Sequence, residues 1–86
     1  MASYRIEVSA TAEKQIRKLS RGDQVPVLRT IKQLENEPYP RGCRKLRGYE
    51  DVFRVRVGTY RIIYSVESRH LLIIILKVGH RKDIYR

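Results

Sequence analysis

Eighty-six residues, 42% hydrophobic and 33% charged, describe a single domain spanning 1–86; neither a second domain nor a disordered or fibrous chain fits that length and composition. A formal net charge of +10 points first to nucleic acid and next to an acidic protein partner. One cysteine, Cys43, excludes a disulfide scaffold and, with only His70 and His80 beside it, argues against a structural metal, while the longest apolar run, Leu71 to Leu76, is too short to span a bilayer.

The first residues lead straight into structured pattern with no apolar leader, so a soluble cytoplasmic protein without a membrane partner is expected. Charge is unevenly placed. Residues 1–37 hold seven Lys/Arg and five Asp/Glu, whereas residues 38–86 hold twelve and four, so a net of +8 falls on the second half. A solvated face that only keeps the protein soluble needs a smaller charge than that.

Tyr4, Ile6 and Val8 alternate with Arg5 and Glu7, which predicts a first strand. Ser9 is placed to cap a helix carrying Ala12, Ile16 and Leu19 on one face, and Gly22 to end it. A second helix is predicted from Asp23, with Pro26 tolerated in its first turn and Val27, Ile31 and Leu34 on one side. Pro38 and Pro40 stop it, and residues 38–48 read as an irregular basic loop.

Three further strands follow. Phe53, Val55 and Val57 alternate with Arg54 and Arg56, then Gly58-Thr59 supplies a two-residue turn of type II′. That turn sets the pairing: Val57 with Tyr60, Arg56 with Arg61, Val55 with Ile62 and Arg54 with Ile63. Leu71 to Val78 is nearly all aliphatic, as an interior strand would be. The expected class is α+β in two layers: an N-terminal strand, a helical hairpin, then a three-stranded antiparallel meander (β-α-α-β-β-β). The helices cover one face of a four-stranded sheet and leave the other open.

Like charges directly opposite on a sheet are unfavourable by some tenths of a kcal/mol up to about one. Arg56 and Arg61 carry that penalty. The plain alternative is that their side chains splay into water or meet Glu50 and Asp51; the functional reading is that Arg54, Arg56 and Arg61 form a preorganised anion site, since guanidinium presents a planar fork to phosphate. In the tail, Arg81 and Tyr85 are four apart, so one helical turn would bring them to one side, with Gly79 letting the chain bend towards the open face. A tyrosine beside arginines suits stacking an unpaired RNA base while gripping its backbone. The bland readings are a core-edge aromatic for Tyr85 and an exposed polar loop residue for His80. Cations stand where a carboxylate cluster for Mg²⁺ would be needed, so no metal and no cofactor are expected.

Three runs, Arg44-Lys45-Leu46-Arg47-Gly48, the stretch from Phe53 to Tyr64 containing "GTYRIIY", and the "VGHRKDIYR" of residues 78–86, resemble the RelE branch of the RelE/ParE toxin superfamily. The resemblance covers essentially the whole chain and implies a RelE-like fold and the toxin of a toxin–antitoxin pair. It also implies entry into the ribosomal A site with 16S rRNA contacts, cleavage of the mRNA there, and a cognate antitoxin protein as partner. It assigns Arg61 to charge on the scissile phosphate, Arg81 to the leaving group or the same phosphate, and Tyr85 to stacking on or orienting the nucleotide. Arg54 and Arg56 fall where relatives have two lysines, one a proposed base. Guanidinium stays protonated, so Arg56 is expected to neutralise charge while Arg54 binds phosphate, together with Lys45, Arg47, His80 and Lys82. Alternatives of other classes are a ParE-like gyrase inhibitor and a non-catalytic RNA- or ribosome-binding module.

Overall fold

The computed structural model describes residues 3–80. In chain order the elements are β1 (Arg5–Val8), α1 (Ala10–Arg17), α2 (Arg21–Gln33), β2 (Arg44–Lys45), β3 (Val52–Val57), β4 (Tyr60–Glu67), a 3₁₀ turn (Ser68–His70) and β5 (Leu72–His80). They build a two-layer α+β unit in which the helices lie on one face of a five-stranded sheet of order β1-β5-β4-β3-β2. β1 runs parallel to β5, and the remaining neighbours are antiparallel. The aliphatic strand β5 is thus an interior strand, bonded on both sides, as its composition requires.

Both helices begin on the same device. Ser9 and Ser20 hold extended backbone and their side chains accept from the N–H three residues on, Ala12 and Asp23 respectively. This corrects the expected boundary: α1 ends at Arg17, and Gly22 lies inside α2 instead of closing α1. A serine cap gives a helix start a side-chain acceptor, whereas a glycine there offers only backbone freedom. Pro26 consequently falls in the second turn of α2, where it leaves the carbonyl of the exposed Gly22 without its helical partner. Apolar stripes from the two helices, Ala12 and Ile16 with Val27, Ile31 and Leu34, close over Val55, Ile62, Tyr64, Val66, Ile73, Ile75 and Val78 of the sheet.

Three differences concern the sheet. The basic stretch after Pro40 is not wholly irregular, because Arg44–Lys45 adds a fifth, two-residue strand to the edge of β3. Leu71 closes the 3₁₀ turn with φ 50, so β5 starts one residue later than the apolar run. Gly79 does not bend the chain; it and His80 continue β5, paired with Arg61 and Tyr60.

Strand β5 also carries an irregularity. Ile63 pairs with Lys77 but Tyr64 pairs with Ile75, which leaves Leu76 as an extra residue in a β-bulge. Ser9 secures it from α1: its N–H donates to the Ile75 carbonyl at 2.9 Å and its hydroxyl to the Leu76 carbonyl at 3.0 Å. Gln15, one and a half turns further along, accepts from the Val78 N–H at 2.7 Å. The bulge shifts the alternation of β5 by one, so Ile73, Ile75 and Val78 all face the core, while Lys77 and Gly79 join the opposite face.

Candidate nucleic-acid interface

Gly58, at φ 61, makes the tight turn that joins β3 to β4, and the register it sets is the one its position implies. Val57 opposes Tyr60, Arg56 opposes Arg61, Val55 opposes Ile62 and Arg54 opposes Ile63. With Val55, Ile62 and Tyr64 turned to the helices, Arg54, Arg56 and Arg61 stand together on the other face. Arg56 is exposed, Arg54 is half-buried, and Arg61 is half-buried with its Nε closed off from solvent. Gly79, opposite Arg61 on β5, presents no side chain beside it. That face is not bare, since Ile63 is 6% exposed in its middle.

A second like-charge pair lies next to the first. Arg44 of β2 opposes Arg54 of β3, so guanidinium-bearing residues occupy three neighbouring strands of one face. Two matching turns bracket β2. In Pro40–Cys43 and in Leu46–Tyr49 the fourth N–H donates to the first carbonyl, at 3.0 and 3.3 Å, and the third residue is a glycine at φ 88. That is the signature of a type II turn, and in each the second residue is an arginine, Arg41 and Arg47. Arg41, Gly42, Arg44, Arg54, Val55 and Arg56 line an open groove of about 480 Å³. A shallower hollow of about 470 Å³ lies among Lys45, Leu46, Arg47, Gly48, Tyr49 and Glu50.

Among the described residues no carboxylate pairs with an arginine that lines the groove. Ion pairs among the described residues join Arg5 to Glu7, Arg17 to Glu13, Lys32 to Glu35 and His70 to Glu67, and none engages Arg41, Arg44, Arg54 or Arg56. Neither Glu50 nor Asp51 forms an ion pair with Arg54 or Arg56, so the carboxylate branch of the plain alternative is not met at those two arginines. Among the described residues no three His, Cys, Asp or Glu side chains gather as a metal site would require, and no helix is long and apolar enough to cross a membrane. An arrangement of this kind attracts anions with several oxygens, and it can stabilise charge that develops on them.

The candidate residues do not all converge. Lys45 pairs with Phe53, whose ring packs against Tyr39 and Tyr64, so register places it on the helix side of β2. Arg47 sits in its exposed turn beyond the strand. His80 also lies on the helix side: it pairs with Tyr60, and the two rings meet edge-on with centroids 5.9 Å apart. Tyr60 in turn donates to Asp23 Oδ2 at 2.9 Å, a bond that, with burial, raises its pKa above the usual phenol value. Arg81, Lys82 and Tyr85 lie outside the described residues. Two residues escaped the reading of the sequence, Arg41 and Arg44. The recurrence of Arg-Gly at residues 41–42 and 47–48 was the available sign that two glycine turns bracket a short extended segment.

Comparison with known proteins bears on this arrangement. A family model described as the ParE toxin of the type II toxin–antitoxin system parDE matches residues 6–85. The chain is 33% identical over 84 residues to toxin RelG of Mycobacterium tuberculosis, covering 96% of this chain and 97% of the relative. Among solved structures, the archaeal RelE–RelB complex of Pyrococcus horikoshii superimposes with a TM-score of 0.83 at 34% identity, covering 94% of this chain and 98% of that one. The RelBE2 toxin–antitoxin complex of M. tuberculosis gives 0.83 at 32%, covering 96% and 97%. The family model thus spans most of the chain, and sequence with RelG, and fold and sequence with the two solved complexes, agree over nearly the full length of both partners, so the chain belongs to the RelE/ParE superfamily of type II toxin–antitoxin toxins as a RelE-type member.

Proposed function

We propose that this chain, as a single 1–86 domain, is a ribosome-dependent endoribonuclease that arrests translation in the cytoplasm by cutting mRNA in the ribosomal A site, where it also touches 16S rRNA. The observation that supports this most directly is the Arg56–Arg61 cross-strand pair, with Arg54 beside it, on a sheet face where no carboxylate of the described residues engages Arg54 or Arg56. An RNA 2′-hydroxyl oxygen bonds to the adjacent phosphorus and the bond to the 5′-oxygen breaks, leaving a 2′,3′-cyclic phosphate and a 5′-hydroxyl. The 2′-proton passes to a base, and the departing 5′-oxygen takes up a proton. Guanidinium groups accept no proton at physiological pH, so Arg54 and Arg56 hold the phosphate and Arg61 stabilises its added charge. Arg81 is assigned to the leaving oxygen and Tyr85 to the nucleotide base on their motif alone, with Lys82 on the backbone nearby.

Lys45, Arg47 and His80 are given no part at the scissile phosphate, because register sets Lys45 and His80 on the other side of the sheet and Arg47 beyond its end. Weak acid–base equipment suits an enzyme that borrows substrate alignment from the ribosome, so free RNA is cut poorly. A cognate antitoxin protein is the second partner, as in the RelE–RelB complexes whose toxins share this fold. It neutralises the toxin by covering the arginine face with an acidic or amphipathic segment. Primer extension on mRNA from ribosomes exposed to the purified chain tests the proposal. Cuts should fall in the A-site codon and decline by about 10²–10³-fold with Arg61→Gln. Intact mRNA together with DNA damage in cells making the protein would instead favour gyrase inhibition, the reading tied to the ParE name of the family model.

A further inference from the structure

The groove extends further than one phosphate requires. Arg44 and Arg61 stand on strands two apart, β2 and β4, and two strand spacings amount to about 9–10 Å. Charge-assisted hydrogen bonds to a phosphate oxygen span only about 2.7–2.9 Å, so a single group held between Arg56 and Arg61 leaves the β2 end of the face unfilled. That end is a built feature of the fold. The type II turn at Pro40–Cys43 places Arg41 beside β2, and Arg44 is held in register against Arg54. Replacing Arg44 would relieve its like-charge opposition to Arg54, so its presence is unfavourable for the fold alone.

We propose that Arg41 and Arg44 form a second anion site, which holds a neighbouring phosphate of the same RNA strand whose scissile phosphate lies at Arg56 and Arg61. The strand then crosses the sheet from β4 over β3 to β2, with Arg54 between the two phosphates. Four arginines, Arg41, Arg44, Arg54 and Arg56, dominate the lining of the groove, so the site grips the phosphate backbone and not a particular base. This rests on the RNA reading above and adds to it a direction of travel and a second point of attachment.

The test is the salt dependence of binding between the full-length chain and an eight-nucleotide single-stranded RNA made uncleavable by 2′-O-methylation, compared among the unchanged protein, R41Q/R44Q and R61Q. Each phosphate contact on a single strand contributes about 0.7 to the slope of log affinity against log salt. R41Q/R44Q should lower the slope by at least about 0.7 and weaken binding about tenfold or more. R44K should restore the slope, since charge is kept, but recover only part of the affinity because the planar fork is lost. Thermal unfolding of each variant identifies any loss that comes from misfolding. If R41Q/R44Q matches the unchanged protein in slope and affinity while R61Q is weakened, the second site is wrong and the RNA reading stands; that outcome would leave this end of the face to an acidic protein segment. If neither variant changes RNA binding, both ideas fall.

Discussion

Tyr64 is completely buried, and its hydroxyl donates to the Pro38 carbonyl at 2.8 Å, tying β4 to the segment that leaves α2. Tyr64→Phe removes the donor and strands that carbonyl, so a loss of about 1–2 kcal/mol is expected in urea unfolding at neutral pH. Burial raises the Tyr64 pKa well above the 10.0 of a free phenol. With the folded value raised, the contribution is complete below about pH 10 and declines as pH climbs further, because the unfolded chain releases the proton while the fold retains it. Urea midpoints measured at about pH 9 and about pH 11 should therefore fall less steeply for Tyr64→Phe than for the unchanged protein. Single residues were unequally legible. The Arg56–Arg61 opposition followed from counting outward from Gly58, whereas the place of His80 depends on a bulge four residues earlier that no local pattern announces.

At the scale of elements, the contact between α1 and β5 turns on Ser9, which caps the helix and also donates to the bulged Leu76 carbonyl. Ser9→Ala loses both bonds at once, so a cost of about 1–2 kcal/mol is expected, at the upper end of what a cap alone provides. Chemical denaturation measures it, and a Ser9→Thr variant, which keeps the hydroxyl, should recover most of the loss. The elements that could be read were those with strong periodicity: both helix faces, the β3–β4 hairpin and the aliphatic β5. β2 could not be read in that way, because two charged residues between glycine turns show no alternation of apolar and polar positions. Gly22 reads as a stop signal, and only the hydrogen bond from the Asp23 N–H to the Ser20 side chain shows that it lies inside α2.

Across the whole molecule, stability and charge oppose each other. Two arginine pairs face one another across adjacent strands, and each lowers the stability of the sheet. Arg56→Thr should accordingly raise the urea midpoint, by some tenths of a kcal/mol up to about one, since threonine removes the repulsion and favours extended backbone. The same variant should bind RNA less tightly, so parallel unfolding and binding titrations are expected to move in opposite directions. The excess of cations in the second half of the sequence forecast a basic surface, but their concentration on three strands of one face is a property of the assembled sheet.

A strand late in the described sequence is also a central one. β5 is flanked by β1 and β4, and it supplies Ile73, Ile75 and Val78 to the interior. Without β5 the β1 strand has no neighbour and the helices lose the middle of the surface they cover, so a substitution that breaks β5 is expected to unfold the domain as a whole and not one edge of it.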